Sequence, residues 1–175
     1  MTASASEKRT QFRKLHETGC FVIPNPWDAG SAKLLQHLGF KALASTSAGF
    51  AWSIGKPDNG VTADDVVAHV KALCDASDLP VNADFEAGFS ATPDGVKKNC
   101  AAAVRAGVAG LSIEDSTGDK DAPLYPRDVA IERMKAARAG IDSEDKSTML
   151  VGRSEGFIVG RPDLKETIER LVAYA

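Results

Sequence analysis

Short apolar runs alternating with amphipathic stretches constrain this chain more than any other feature. The runs 20–25 (CFVIPN), 41–46 (KALAST), 79–84 (LPVNAD), 110–115 (GLSIED) and 148–153 (TMLVGR) have the length and content of buried strands. Between and after them, 28–38, 62–76, 92–106, 126–140 and 162–175 repeat apolar residues at helical spacing, and a further helix over about 7–17 precedes the first run. Asp28, Thr62, Thr92 and Arg161-Pro162 mark helix starts, while Gly39 and Gly107 suit the left-handed position that ends a helix. Strands joined by helical crossovers pair in parallel, so the expectation is a parallel α/β fold.

Two parallel architectures compete. A doubly wound open sheet carries a glycine-rich turn after its first strand, where this chain has the prolines of IPNPWDAG. In a (β/α) barrel the chemistry gathers at the C-terminal strand ends. Here those ends carry Asn25, Ser45-Thr46-Ser47, Asp84 with Glu86, Glu114-Asp115, and Arg153 with Glu155, polar groups on every strand. The barrel is therefore preferred. A closed eight-stranded barrel takes about 250 residues, and 175 residues supply about five βα units plus the N-terminal helix. The expectation is one partial barrel domain over 1–175, with its first and fifth strands as open edges.

With 43% hydrophobic residues the chain can bury a core, and a net charge of −3 with interspersed signs offers no basic stripe for nucleic acid or an anionic membrane. The three cysteines are widely spaced and lie outside any Cys-x-x-Cys pair, which argues against a disulfide framework and against zinc. No apolar stretch is long enough for a signal peptide or a membrane span, and the expected location is the cytoplasm.

The candidate chemistry lies in the strand-end acids. Asp84, Glu86 and Glu114, with Asp58 of the loop GKPDNG, make an oxygen-only set suited to a hard cation, Mg²⁺ before others. The alternative is a set of solvated rim acids. Arg153 ends a buried strand, where a guanidinium can grip a carboxylate or stabilise developing negative charge; otherwise it pairs with Glu155 or Glu114. Ser45, Thr46 and Ser47 can offer donors to a substrate carboxylate, or serve only as turn residues. A phosphate loop is not made by GFAWSIGKP, where Pro57 replaces the hydroxyl residue, and His16, His37 and His69 fall in helical stretches away from the rim.

The ordered segments IPNPWDAGSAKLL, STSAGFAWSIGKPDN, PVNADFEAGF, GVAGLSIEDSTG, PLYP and VGRSEGFIVGRPDL together resemble the isocitrate lyase and phosphoenolpyruvate mutase superfamily over almost the whole chain. The resemblance implies a TIM-type barrel of the phosphoenolpyruvate/pyruvate type and Mg²⁺. It implies cleavage, hydrolysis or decarboxylation of a small α-keto or 2-hydroxy di- or tricarboxylate through an enolate-like intermediate, in a homo-oligomer. By position it assigns Ser45, Thr46 and Ser47 to the substrate carboxylate, Asp58, Asp84 and Glu114 to Mg²⁺ and its waters with Glu86 beside them, and Arg153 to the fifth-strand arginine.

Three departures stand out. Where many members have Asp-x-Asp, this chain has Asn82-Ala83-Asp84, which assigns Asn82 to the substrate site as an amide in place of a metal-binding acid. The loop DSTGDKDAPLYP lacks the Lys-Lys-Cys-Gly-His segment of isocitrate and methylisocitrate lyases, whose cysteine is the general acid, and also the Lys and Asn of the mutase loop, for which Lys120 is the candidate catalytic substitute. The last three βα units are not present. A carbon–carbon lyase is the leading expectation, and a catalytically silent barrel that associates with full-length homologous subunits is the alternative.

Overall fold

The polypeptide alternates helices and strands around one parallel sheet. A computed structural model describes residues 3–175. Among the described residues the order is α1 (Ala5–Leu15), α2 (Ala29–His37), β1 (Leu43–Ala44), α3 (Ser47–Ser53), α4 (Ala63–Ala76), β2 (Val81–Asp84), α5 (Pro93–Arg105), β3 (Gly110–Glu114), α6 (Arg127–Asp142), β4 (Met149–Arg153) and α7 (Leu164–Tyr174). The four strands pair in parallel in sequence order, as successive strands of a TIM-type barrel do.

Local chemistry sets most of these boundaries. Asp28, Thr62 and Thr92 each accept a hydrogen bond from a backbone N–H of the first helical turn, so the helices start where the capping side chains stand. Asp163, one residue beyond the expected Arg161-Pro162 start, caps α7 in the same way. Gly107 adopts φ +103° just past α5, a conformation that would strain any residue with a Cβ.

The expected first strand, 20–25, runs extended beside β1 without completing a ladder. Ala44 N donates to Pro24 O at 3.1 Å and Asn25 Nδ2 donates to Ala44 O at 3.0 Å. Pro24 and Pro26 have no N–H to give back, so the pairing stops there. The segment is still anchored by packing: Phe21 and Ile23 lie against Phe12, Ala42 and Ala109 beneath the sheet.

Strand alternation sorts the side chains into two layers. Val81, Ala83, Phe85, Leu111 and Ile113 are fully buried among residues of α4, α5 and α6. Each such large side chain contributes about 1.5–3 kcal/mol by leaving water. The opposite face carries Asn82 and Asp84, Ser112 and Glu114, and Met149 and Arg153, in steps fixed by the register Asn82↔Gly110↔Met149 and Glu114↔Arg153. This face forms the barrel interior. α1 closes its lower end with Phe12, while the buried Arg9 donates to the carbonyls of Val104 and Val108 and pairs with Asp145 at 2.6 Å.

Candidate active site

Three adjacent strand ends converge on one guanidinium. Arg153 of β4 forms an ion pair with Glu114 of β3, lies 3.3 Å from Asp84 Oδ1 of β2, and approaches Glu155 Oε1 at 3.5 Å through Nε. The side chains of Asp84, Glu114 and Glu155 are each nearly nine-tenths buried, which strengthens these attractions over those of an exposed pair.

Asp84 is also tied to the segment after β1. Ser47 N, at the start of α3, donates to Asp84 Oδ2 at 2.9 Å, and Asp84 N donates to Ser45 Oγ at 2.9 Å. Thr46 caps α3, accepting from Gly49 N. Ser45 and Thr46 thus serve the framework directly. Ser47 is held by its backbone N–H, and its hydroxyl remains available to a ligand.

Glu86 follows β2 in the left-handed conformation, φ +44°, which a residue with a Cβ adopts at an energetic cost. Burial pushes its carboxyl up to about 7; the negative charges of Asp84 and Asp58 add to the effect, and Arg153 opposes it. Glu155 is raised as well, first by burial and then by Asp115 and Asp84, against the pull of Arg153. Glu86 Oε1 is a buried acceptor with no hydrogen-bond partner, and Asp84 Oδ1 has only the 3.3 Å ion pair with Arg153. Buried oxygens left in that state are costly unless a further group satisfies them.

Asn82 lies one alternation deeper on β2 than Asp84. It sits opposite Gly110 and Met149, four residues below the Glu114 level, or about 13 Å along the strand at 3.3 Å per residue. There it is buried, donates weakly to Ser112 Oγ at 3.4 Å, and faces Phe12 and Gly110 at the barrel floor. The acids nearest the rim on this strand are Asp84 and, just past it, Glu86.

The donor set is all oxygen, and the orphaned Glu86 Oε1 belongs to it, so these residues fit a hard cation. Among the described residues no three His, Cys, Asp or Glu side chains converge as a cage. The fit is to an ion held through few carboxylates and completed by water or substrate oxygens, the habit of Mg²⁺. Asp58 is exposed in its loop, accepts from its neighbour Asn59 N, and reaches Glu86 through charge.

Two adjoining hollows open beside this cluster, of about 550 Å³ and about 350 Å³, sharing Asn59, Glu114, Ser116 and Gly118 as walls. The larger is bounded by Glu86, Phe89, Tyr125 and Arg133; the smaller by Asp58, Glu155 and Lys120. Lys120 is exposed on the loop after β3, a loop folded on itself by Thr117 Oγ1 donating to Ala122 O at 2.6 Å.

Sequence reasoning missed Glu155 as a full member of the cluster, and it missed Arg133. The Arg133 guanidinium donates to the carbonyls of Ala87 and Ser90 at 2.5 and 2.7 Å and lies 4.3 Å from the centre of the Tyr125 ring. It thereby holds the turn that follows Glu86. The signal was present: Arg133 interrupts the apolar stripe Ala130, Met134, Ala137, Ile141 of α6, all buried. A charge on a buried helical stripe needs a polar partner inside.

The sequence matches the phosphoenolpyruvate phosphomutase family model over residues 12–175. It is 31% identical over 153 residues to 2-methylisocitrate lyase of Escherichia coli (strain K12), covering 84% of this chain and 51% of that protein. Its fold superposes with a TM-score of 0.93 and 46% identity on a Burkholderia cenocepacia J2315 protein provisionally described as a lyase/mutase, covering 97% of this chain and 61% of the other. It also superposes on oxaloacetate acetylhydrolase in complex with the product oxalate, with a TM-score of 0.86, 28% identity, and coverage of 95% and 59%. The chain spans about half the length of the curated relatives it matches.

Proposed function

The chain belongs to the phosphoenolpyruvate phosphomutase family, and on that footing we propose that it is a Mg²⁺-dependent lyase-like enzyme acting on a small α-keto or 2-hydroxy carboxylate. The observation that carries this reading is the Asp84–Glu114–Arg153 cluster across three neighbouring strand ends, with Glu86 Oε1 left as an unpartnered buried acceptor beside it. The relatives named as 2-methylisocitrate lyase and 2,3-dimethylmalate lyase, and the oxalate held by oxaloacetate acetylhydrolase, support the substrate class.

In this proposal Asp84 and Glu86 hold the metal ion, with Glu114 and Asp58 ordering its water. The ion supplies a Lewis acid that polarises the substrate's keto or hydroxy oxygen. Ser47, fixed by its bond to Asp84, offers its hydroxyl to the substrate carboxylate, and the Ser45–Thr46 turn shapes that end of the cleft. Arg153, paired with Glu114 of the cleft wall, stabilises the negative charge that an enolate-type fragment carries when a C–C bond breaks. In this reading Lys120, on the loop walling the cleft, delivers a proton to that fragment.

The functional unit we propose is the barrel domain over 1–175, acting in the cytoplasm as a homo-oligomer. Self-association is supported by the exposed apolar face of α7, Leu164, Ile168, Leu171 and Val172. No helix among the described residues is long and apolar enough to cross a membrane.

The test is turnover of oxaloacetate, isocitrate, 2-methylisocitrate, 2,3-dimethylmalate and phosphonopyruvate, followed by NMR with Mg²⁺ and again with EDTA. Metal-dependent cleavage of one of these compounds supports the reading. Absence of turnover throughout the panel, or turnover indifferent to EDTA, counts against it.

A further inference from the structure

Glu114 and Asp115 are consecutive acids that point to opposite sides of the β3 end, as strand alternation requires. Glu114 enters the cleft and meets Arg153. Asp115 turns away under α7, where it is only 1% exposed. Its carboxylate is fully used there. Oδ1 accepts from Glu155 N at 2.8 Å, while Oδ2 accepts from the Tyr174 hydroxyl at 2.7 Å and from Arg170 Nη1 at 3.2 Å.

Arg170 is itself 7% exposed and also donates to Tyr125 O at 2.9 Å. Tyr125 N in turn donates to Asp115 O at 2.9 Å. Asp115 and Tyr125 are thus the two feet of the loop that carries Lys120, and Arg170 grips both. A buried ion pair of this kind costs desolvation energy that hydrophobic residues would avoid. The pair's hydrogen bonds reach two places that matter to the cleft: Asp115 accepts from the backbone N–H of Glu155, which approaches Arg153, and Arg170 donates to Tyr125 O at the base of the Lys120 loop.

We infer that Arg170 and Tyr174 of α7 are positioning residues, acting through Asp115 to place Glu155 against Arg153 and to fix the base of the loop that walls the cleft. Arg170 is buried and Tyr174 bonds to Asp115 on the side turned away from Arg153, so neither is expected to touch substrate. The inference rests on reading the cleft as the active site, and it extends that site outward to a helix that sequence and cleft geometry alone would leave out.

The experiment measures backbone amide exchange by NMR in the 175-residue chain and in Tyr174→Phe, Arg170→Lys and Arg170→Met, with oxalate titrated in Mg²⁺ on the same samples. In Arg170→Met, exchange at the Glu155 and Tyr125 amides is expected to rise about tenfold or more over that at amides of β2 and β3, since hydrogen bonds to a charged partner are lost. Oxalate affinity is expected to fall with it. Arg170→Lys restores part of both effects because it keeps the charge without the fork, and Tyr174→Phe, which loses one neutral donor, gives the smaller change. Exchange rising equally across β2 and β3, or unchanged at Glu155 and Tyr125, overturns the inference. If the parent protein also fails to bind oxalate, the functional reading falls, and the exchange pattern still decides the positioning role.

Discussion

Arg153 on β4 reaches past β3 to lie 3.3 Å from the Asp84 carboxylate on β2, while pairing with Glu114 between them. One guanidinium thus ties together three strand ends of the barrel. A cation amid the acids lowers their mutual repulsion, and in the proposed reaction it would also partner developing negative charge.

Replacing Arg153 by Met separates these two tasks. Turnover is expected to fall by about 10²–10³, the scale seen when a group stabilising a reaction's negative charge is lost. Mg²⁺ affinity is expected to hold or rise, because the acids gain net negative charge. Steady-state kinetics beside calorimetric Mg²⁺ titration checks this; equal loss of both quantities would make Arg153 a structural residue.

His69 gives the fold a pH dependence remote from the rim. Its ring stacks on Phe50 with centroids 4.0 Å apart, its Nε2 is buried without a partner, and burial pushes its pKa from 6.5 to about 4, with Asp28 pulling the other way. A depressed folded-state pKa means stability that is present above pH 6.5 and lost as the pH falls toward 4. The melting temperature of the parent is expected to decline across that window. His69→Leu should flatten the decline, and an unchanged slope in the variant would assign it to other groups.

Gly140 is where α6 meets α5 most closely, since a Cβ there would be driven into the Lys97 backbone carbonyl. Backbone cannot swing aside as a long side chain can. Gly140→Ala is expected to destabilise the protein by about 1–3 kcal/mol, read as a lower denaturation midpoint. A neutral result would mean that the two helices slide apart at little cost.

Much of the framework was legible because its signals are local. Thr62 and Thr92 announce their helices by capping chemistry, and the alternating acids Asp84 and Glu86 announce a rim by breaking an apolar strand. What escaped was decided by tertiary contacts. The seven residues of α3 contain Gly49 and show no useful helical stripe; they are seated by Phe50 on His69 and by Trp52 edge-on to Trp27 at 6.0 Å. The 20–25 segment has the apolar content of a strand, yet two prolines stop its ladder. Motif spacing alone does not say how deep Asn82 lies on its strand; the register with Gly110 and Met149 does.

The most direct test of the account is calorimetric titration of oxalate into the protein, once with Mg²⁺ and once with EDTA. The account predicts saturable binding with Mg²⁺ that disappears with EDTA and is weakened at least about tenfold in Asp84→Asn, since one charged ligand to the ion is lost. Oxalate binding that is indifferent to the metal, or an Asp84→Asn protein that binds as the parent does, would contradict it.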